Sequence, residues 1–208
     1  MAEERPERLP TDTSPGANYT RFRNEALDMT TVGLAVRGCQ EIPVPIVLGI
    51  LMEFGYPGAS ASLFADVNAD RVSLLFSNGG GLLGGGLHEE VRRTVLPFFE
   101  AAKRTLSHLM PTTSFPVPGA GDVAFYLLTT SGVLTGGGSK DDLGEDCHPL
   151  SPLYHAGHEV LTQLRQRAER AHKHAPRAGD SIGKKVCPRC GKDLNVYAVK
   201  CRYCKANL

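Results

Sequence analysis

Residues 45–77 read PIVLGILMEFGYPGASASLFADVNADRVSLLFS, and the recurrence of apolar side chains along them sets the expected fold class. In the first half, Val47, Ile50, Leu51 and Phe54 recur at i, i+3, i+4 and i+7, the spacing of one helical face. Residues 45–54 are therefore expected to form a helix, entered at Pro45 and stopped by Gly55 and Pro57. In the second half, residues 60–66 and 71–77 have β character on either side of Asn68-Ala69-Asp70, whose Asn and Asp favour tight turns, and they predict a β-hairpin.

Further along, residues 78–86 are the glycine-rich run NGGGLLGGG. Residues 88–110 are helical by periodicity, with Val91, Val95, Phe98, Phe99, Ala102 and Leu106 on one side and a kink expected at Pro97, which cannot donate its backbone hydrogen bond. Three strands are expected at 113–117, 122–130 and 133–137, separated by Pro-Gly-Ala-Gly and Ser131-Gly132 turns. A loop over 141–152 then leads to a last helix at 153–171, where Val160, Leu161 and Leu164 face inward.

In the other direction, residues 1–28 are rich in Pro, Thr, Asn, Arg and Glu without apolar periodicity, which predicts a disordered arm. Residues 172–185 carry Pro, two Gly and basic residues and read as a flexible basic linker. The expected organisation is thus an arm (1–28), an α+β domain (29–171), the linker, and a small module at 186–208. The most apolar stretch, residues 42–54, contains two prolines and Glu53 and is far shorter than the ~20 residues that span a bilayer, so no membrane partner is expected. The start MAEERPERLP has no apolar region of a signal peptide, and a cytoplasmic location follows as the expectation.

The formal net charge of +1 conceals an asymmetry. From Arg165 to Leu208 there are 12 Lys or Arg against 3 Asp or Glu, or +9, and the rest of the chain carries −8. The two parts are expected to face different partners or each other, and the basic segment suits either nucleic acid, with Tyr197 and Tyr203 stacking on bases, or charge balance at the cysteine-rich site.

The order of elements, helix, two strands, helix, three strands, helix, resembles the roadblock and longin type of domain over residues 41–171. That resemblance implies a five-stranded antiparallel sheet covered by helices, in two or three layers. It also implies a noncatalytic platform that homodimerises and engages a protein partner such as a small GTPase, and it carries over no catalytic residue.

The last residues, 187–208, read CPRCGKDLNVYAVKCRYCKANL, with two Cys-x-x-Cys pairs ten residues apart. A two-residue gap lets both sulfurs of one turn reach a single ion, and two such turns complete a tetrahedron of soft ligands. Cys187, Cys190, Cys201 and Cys204 are therefore expected to hold one structural Zn2+, with Gly191 permitting the first sharp turn and residues 194–199 forming a short β-arm. The stretch strongly resembles the bacterial zinc-ribbon family. Iron uses the same ligand set and spacing does not separate the two metals.

Weaker constellations are read as structural. The glycine run precedes a helix but lacks the Lys and Ser or Thr of a phosphate loop, and Glu89 and Glu90 would repel phosphate there. Cys147, His148, His155 and His158 offer metal-ligand chemistry, with His155 and His158 one turn apart, yet they make no HExxH pattern. Cys39 and Cys147 read as free thiols. No catalytic residue and no enzyme is expected. The expected function is an adaptor acting through protein contacts, with a nucleic-acid-associated ribbon protein as the alternative.

Overall fold

The computed structural model describes residues 15–35, 45–174, 184–195, 200, 201 and 203–207. The chain divides into two compact units, Met1–Arg167 and Ala168–Leu208. In order, the first contains α1 (Pro15–Ala35), β1 (Val47–Tyr56), β2 (Ala59–Asp66), β3 (Val72–Phe76) and β4 (Gly81–Leu82). There follow α2 (Glu89–Thr105), β5 (Met110–Thr112), β6 (Asp122–Thr129), β7 (Gly132–Ser139), α3 (Lys140–Gly144) and α4 (Ser151–His174), which runs on past the boundary. The seven strands form one sheet in the order β4-β3-β2-β1-β6-β7-β5, every pair antiparallel.

The α+β class is as expected, but the stretch that sets it is read differently by the structure. Residues 45–54 do not form a helix; they supply most of β1, the central strand between β2 and β6. A strand buried on both faces is a near-continuous apolar run, and over so short a run a 3.6-residue period arises by coincidence. Successive side chains of β1 point to opposite faces. Ile50, Met52 and Phe54 join the larger core with Leu63, Leu74, Phe125 and Leu127, under Val91, Val95, Phe98 and Phe99 of α2 and Val160, Leu161 and Leu164 of α4. Leu51 joins Phe64, Tyr126, Leu128 and Val133 on the opposite face, beneath Ala26 and Leu27 of α1. Helices therefore cover both faces, giving three layers and a seven-stranded sheet in place of the five strands that the roadblock and longin resemblance implies.

The expected arm over residues 1–28 also needs correction, since α1 begins at Pro15; residues 1–14 lie outside the described residues. Among the residues of α1 whose burial is described, the buried ones are Tyr19, Arg23, Ala26 and Leu27, spaced at i, i+4, i+7 and i+8. That is a helical face, but half of it is polar, so apolar periodicity does not reveal it.

The hairpin of β2 and β3 forms as expected, with Asp70 and Arg71 N–H groups both donating to Asp66 Oδ1, at 2.9 and 3.1 Å. α2 is continuous through Pro97. The strand expected at 113–117 is absent: β5 lies earlier, at Met110–Thr112. Pro116 and Pro118 have no N–H to give a ladder. The segment is instead tied by its carbonyls, Phe115 O accepting from Arg23 and Pro116 O from Tyr126. The last helix outlasts its expected end at 171, which moves the start of the expected linker, and residues 175–183 lie outside the described residues. Among the described residues no helix is long and apolar enough to cross a membrane.

Candidate metal centre

In the second unit, β8 (Lys184–Val186) pairs antiparallel with β9 (Asp193–Asn195), and the turn between them carries Cys187 and Cys190. The expected β-arm at 194–199 is described only to Asn195. Cys187 N–H donates to Lys192 O at 2.9 Å, and Gly191 N–H donates to Cys187 O at 2.9 Å. The second turn repeats the pattern: Cys201 N–H donates to Ala206 O at 2.7 Å, and Lys205 N–H to Cys201 O at 2.9 Å. The residue after the second cysteine of each pair is left-handed, Gly191 at φ 68 and Lys205 at φ 60. Glycine adopts that backbone without penalty, whereas lysine does so against the contact of its Cβ with the following carbonyl.

Two such knuckles bring four sulfurs together. The ligand atoms of Cys187, Cys190, Cys201 and Cys204 all lie within 4.8 Å of one another, with Cys187 to Cys204 at 3.7 Å and Cys190 to Cys201 at 3.6 Å. A tetrahedron with metal–sulfur bonds of about 2.3 Å has edges of about 3.8 Å, so the residues fit a thiolate-bound divalent ion. Cys187 and Cys201 are each 1% exposed and form the unit's small core with Cys204 and Ala206.

The electrostatics point the same way. Cys201 is held down to about 6, chiefly by the Cys204 backbone N–H, with desolvation opposing. Cys190 is pushed up to about 12: the Lys192 backbone N–H pulls it down, but desolvation and the thiols of Cys187, Cys201 and Cys204 outweigh that pull. The opposite shifts of Cys190 and Cys201 are those of closely packed thiols, whose negative charge a divalent cation would offset.

Other candidate residues are committed elsewhere. Among the described residues, only these four cysteines bring three or more metal-ligating groups together. Cys147 Sγ faces Glu145 O at 3.4 Å, and His148 Nδ1 accepts from Leu150 N–H at 3.1 Å. His155 Nε2 meets Asp146 Oδ1 at 2.9 Å, both residues exposed. His158 lies 4.3 Å from the Tyr154 ring centre and 5.5 Å from that of Phe54, with its Nε2 buried and unpartnered. Burial lowers its basicity, helped by Arg165, Lys140 and His155. The end of the glycine run is steric, since a Cβ on Gly85 would strike the Leu164 side chain and one on Gly86 the Ala69 and Asp70 carbonyls, whereas Gly80 and Gly84 serve backbone turns at φ 79 and 72.

One polar cluster goes unseen in the sequence. Glu53 of β1 is fully buried and faces α1, where Arg23 Nε and Nη2 donate to its two oxygens at 2.8 Å each. Ser62 Oγ donates to Glu53 Oε1 at 2.6 Å, and the Tyr19 hydroxyl lies 2.8 Å from Ser62 Oγ. Burial opposes the Arg23 charge, yet the hydrogen bonds and charge of Glu53 raise its pKa further. Burial raises that of Tyr19 too, then the Glu53 charge against the pull of Ser60 and Ser62. The signal available in the sequence is a lone glutamate inside an apolar run.

No family model, curated protein sequence or solved structure matches the chain. Fold and site together define an α+β protein with four cysteines positioned to bind a metal ion in a second, smaller unit.

Proposed function

We propose that the protein is a noncatalytic adaptor, with a C-terminal ribbon folded around one structural zinc ion and an α+β domain that acts through protein contacts. The observation that carries this reading is the cluster itself, four sulfurs within 4.8 Å on two knuckles of the same backbone geometry. Four protein ligands close the coordination shell and leave no position for a reactive water. Among its described residues the unit's buried core is two cysteines, which leaves little apolar surface to stabilise it, so metal binding supplies its folding free energy.

Three features support a noncatalytic domain. Glu53 is neutralised by Arg23 out of reach of solvent, His155 is paired with Asp146 at the surface, and His158 is set in an aromatic seam. The partner class, a small GTPase or a second copy of the chain, comes from the sequence resemblance alone, whose order of elements the sheet replaces. Co-migration of the purified protein with nucleotide-loaded GTPases, and its mass by light scattering, test those two partners.

The metal reading is tested by nuclear magnetic resonance of uniformly labelled protein before and after a strong chelator. Amide signals from residues 184–208 should collapse to random-coil positions while those of the sheet stay in place. Dispersed ribbon signals in metal-stripped protein would refute a metal-dependent fold.

A further inference from the structure

We propose that the ribbon binds single-stranded nucleic acid, with Arg189, Lys192, Lys200 and Lys205 on the phosphates and Tyr203 stacked on a base. Residues 184–208 hold seven Lys or Arg against one Asp. Four thiolates and a divalent metal carry about −2, so balancing the cluster uses only part of this charge. The surplus sits where a ligand can reach it. Arg189, Lys192, Lys200 and Lys205 are all exposed, each lies within two residues of a ligand cysteine, and none joins an ion pair among the described residues.

Lys205 supplies an independent argument. It occupies the left-handed position that Gly191 fills in the first knuckle, at φ 60 against 68. Glycine would meet the same geometry without strain, so the knuckle itself does not call for a lysine side chain there. The Lys205 residue is exposed.

Tyr203 decides the class of polyanion. The residue is 52% exposed, in the same knuckle as Lys205 and one residue before Cys204. An acidic peptide or a sulfated polysaccharide satisfies the cations but offers no planar partner for the ring. Nucleic acid offers both, and an unpaired strand leaves its base faces open for stacking.

The proposal rests on the metal reading above, so zinc content is measured on every sample. Full-length zinc-loaded protein is titrated into fluorescein-labelled dT12, followed by anisotropy across a salt series. Four cations on phosphates give a slope of log K against log salt of about −2.8, so a fourfold rise in salt weakens binding roughly fifty-fold. Lys205→Gly, which keeps the backbone geometry, should reduce the slope magnitude by about 0.7 at unchanged zinc content. Tyr203→Ala should weaken dT12 about tenfold while leaving heparin binding unchanged.

Protein with one zinc that shows no binding, or binding indifferent to salt or to Lys205→Gly, overturns the proposal and leaves the metal reading intact. Equal losses on dT12 and heparin in Tyr203→Ala, or competition by polyglutamate as effective as by unlabelled dT12, overturn the nucleic-acid assignment. Loss of zinc in the parent overturns the metal reading instead.

Discussion

Replacing Arg23 with methionine keeps the length and apolar stem of the side chain and removes its charge from the α1 interface. Glu53 is then left with a carboxylate that is 0% exposed and has lost both guanidinium contacts, Nε at 2.8 Å and Nη2 at 2.8 Å. Breaking a buried pair from one side costs about 3 to 5 kcal/mol, because the surviving charge stays desolvated. That is large against the ~5–15 kcal/mol that holds a domain folded. A companion change, Arg23→Met with Glu53→Gln, removes the orphan charge and keeps an amide oxygen to accept from Ser62, now at 2.6 Å from Glu53 Oε1. The double variant should recover at least ~2 kcal/mol of the single variant's loss, a coupling that two independent sites would not show. Urea unfolding monitored by far-UV circular dichroism reads both values. A loss below about 1 kcal/mol in Arg23→Met, or a double variant no more stable than the single, would refute the argument that this pair docks α1.

Further outcomes follow from other sites. His158 has a lowered pKa, so the unfolded chain binds more protons than the folded one below ~6.5; stability should fall as pH drops through that window, and His158→Phe should flatten the slope in urea midpoints measured across it. Gly86→Ala should cost about 1 to 3 kcal/mol, since its Cβ meets the Ala69 and Asp70 carbonyls, while Gly58→Ala meets no such atom and responds only to its φ of 70; thermal unfolding of the two variants separates backbone strain from steric overlap. Removal of residues 172–208 should leave cooperative unfolding of the sheet domain, whose buried core ends at Leu164; a broad, non-cooperative transition would contradict this.

What can be read in advance divides along physical lines. The ribbon is legible because metal chemistry demands particular atoms at particular spacings, and Cys187, Cys190, Cys201 and Cys204 meet as those spacings require. The hairpin at Asp66–Val72 is legible from its turn residues, and α2 and α4 from long one-sided apolar faces. β1 misleads because Ile50 to Phe54 is buried on both faces, which leaves no alternation for a period to report. α1 escapes notice because Tyr19 and Arg23 dock through hydrogen bonds and charge, to which hydropathy is blind. The strand expected at 113–117 fails for a local reason, Pro116 within it and Pro118 just after it, neither of which has a donor to give a ladder. Lys205 in a left-handed turn has no local signal, since the first knuckle uses glycine at the same place.

The most direct test of the metal-centred account is elemental analysis of protein purified without added metal, run beside Cys187→Ser and Cys201→Ser. One zinc per chain is expected in the parent and a large loss in both variants, Cys187 and Cys201 each being 1% exposed at the heart of the cluster. Iron in place of zinc would change the ion but keep the site. A parent chain without metal, or one whose full metal content survives both substitutions, would contradict it.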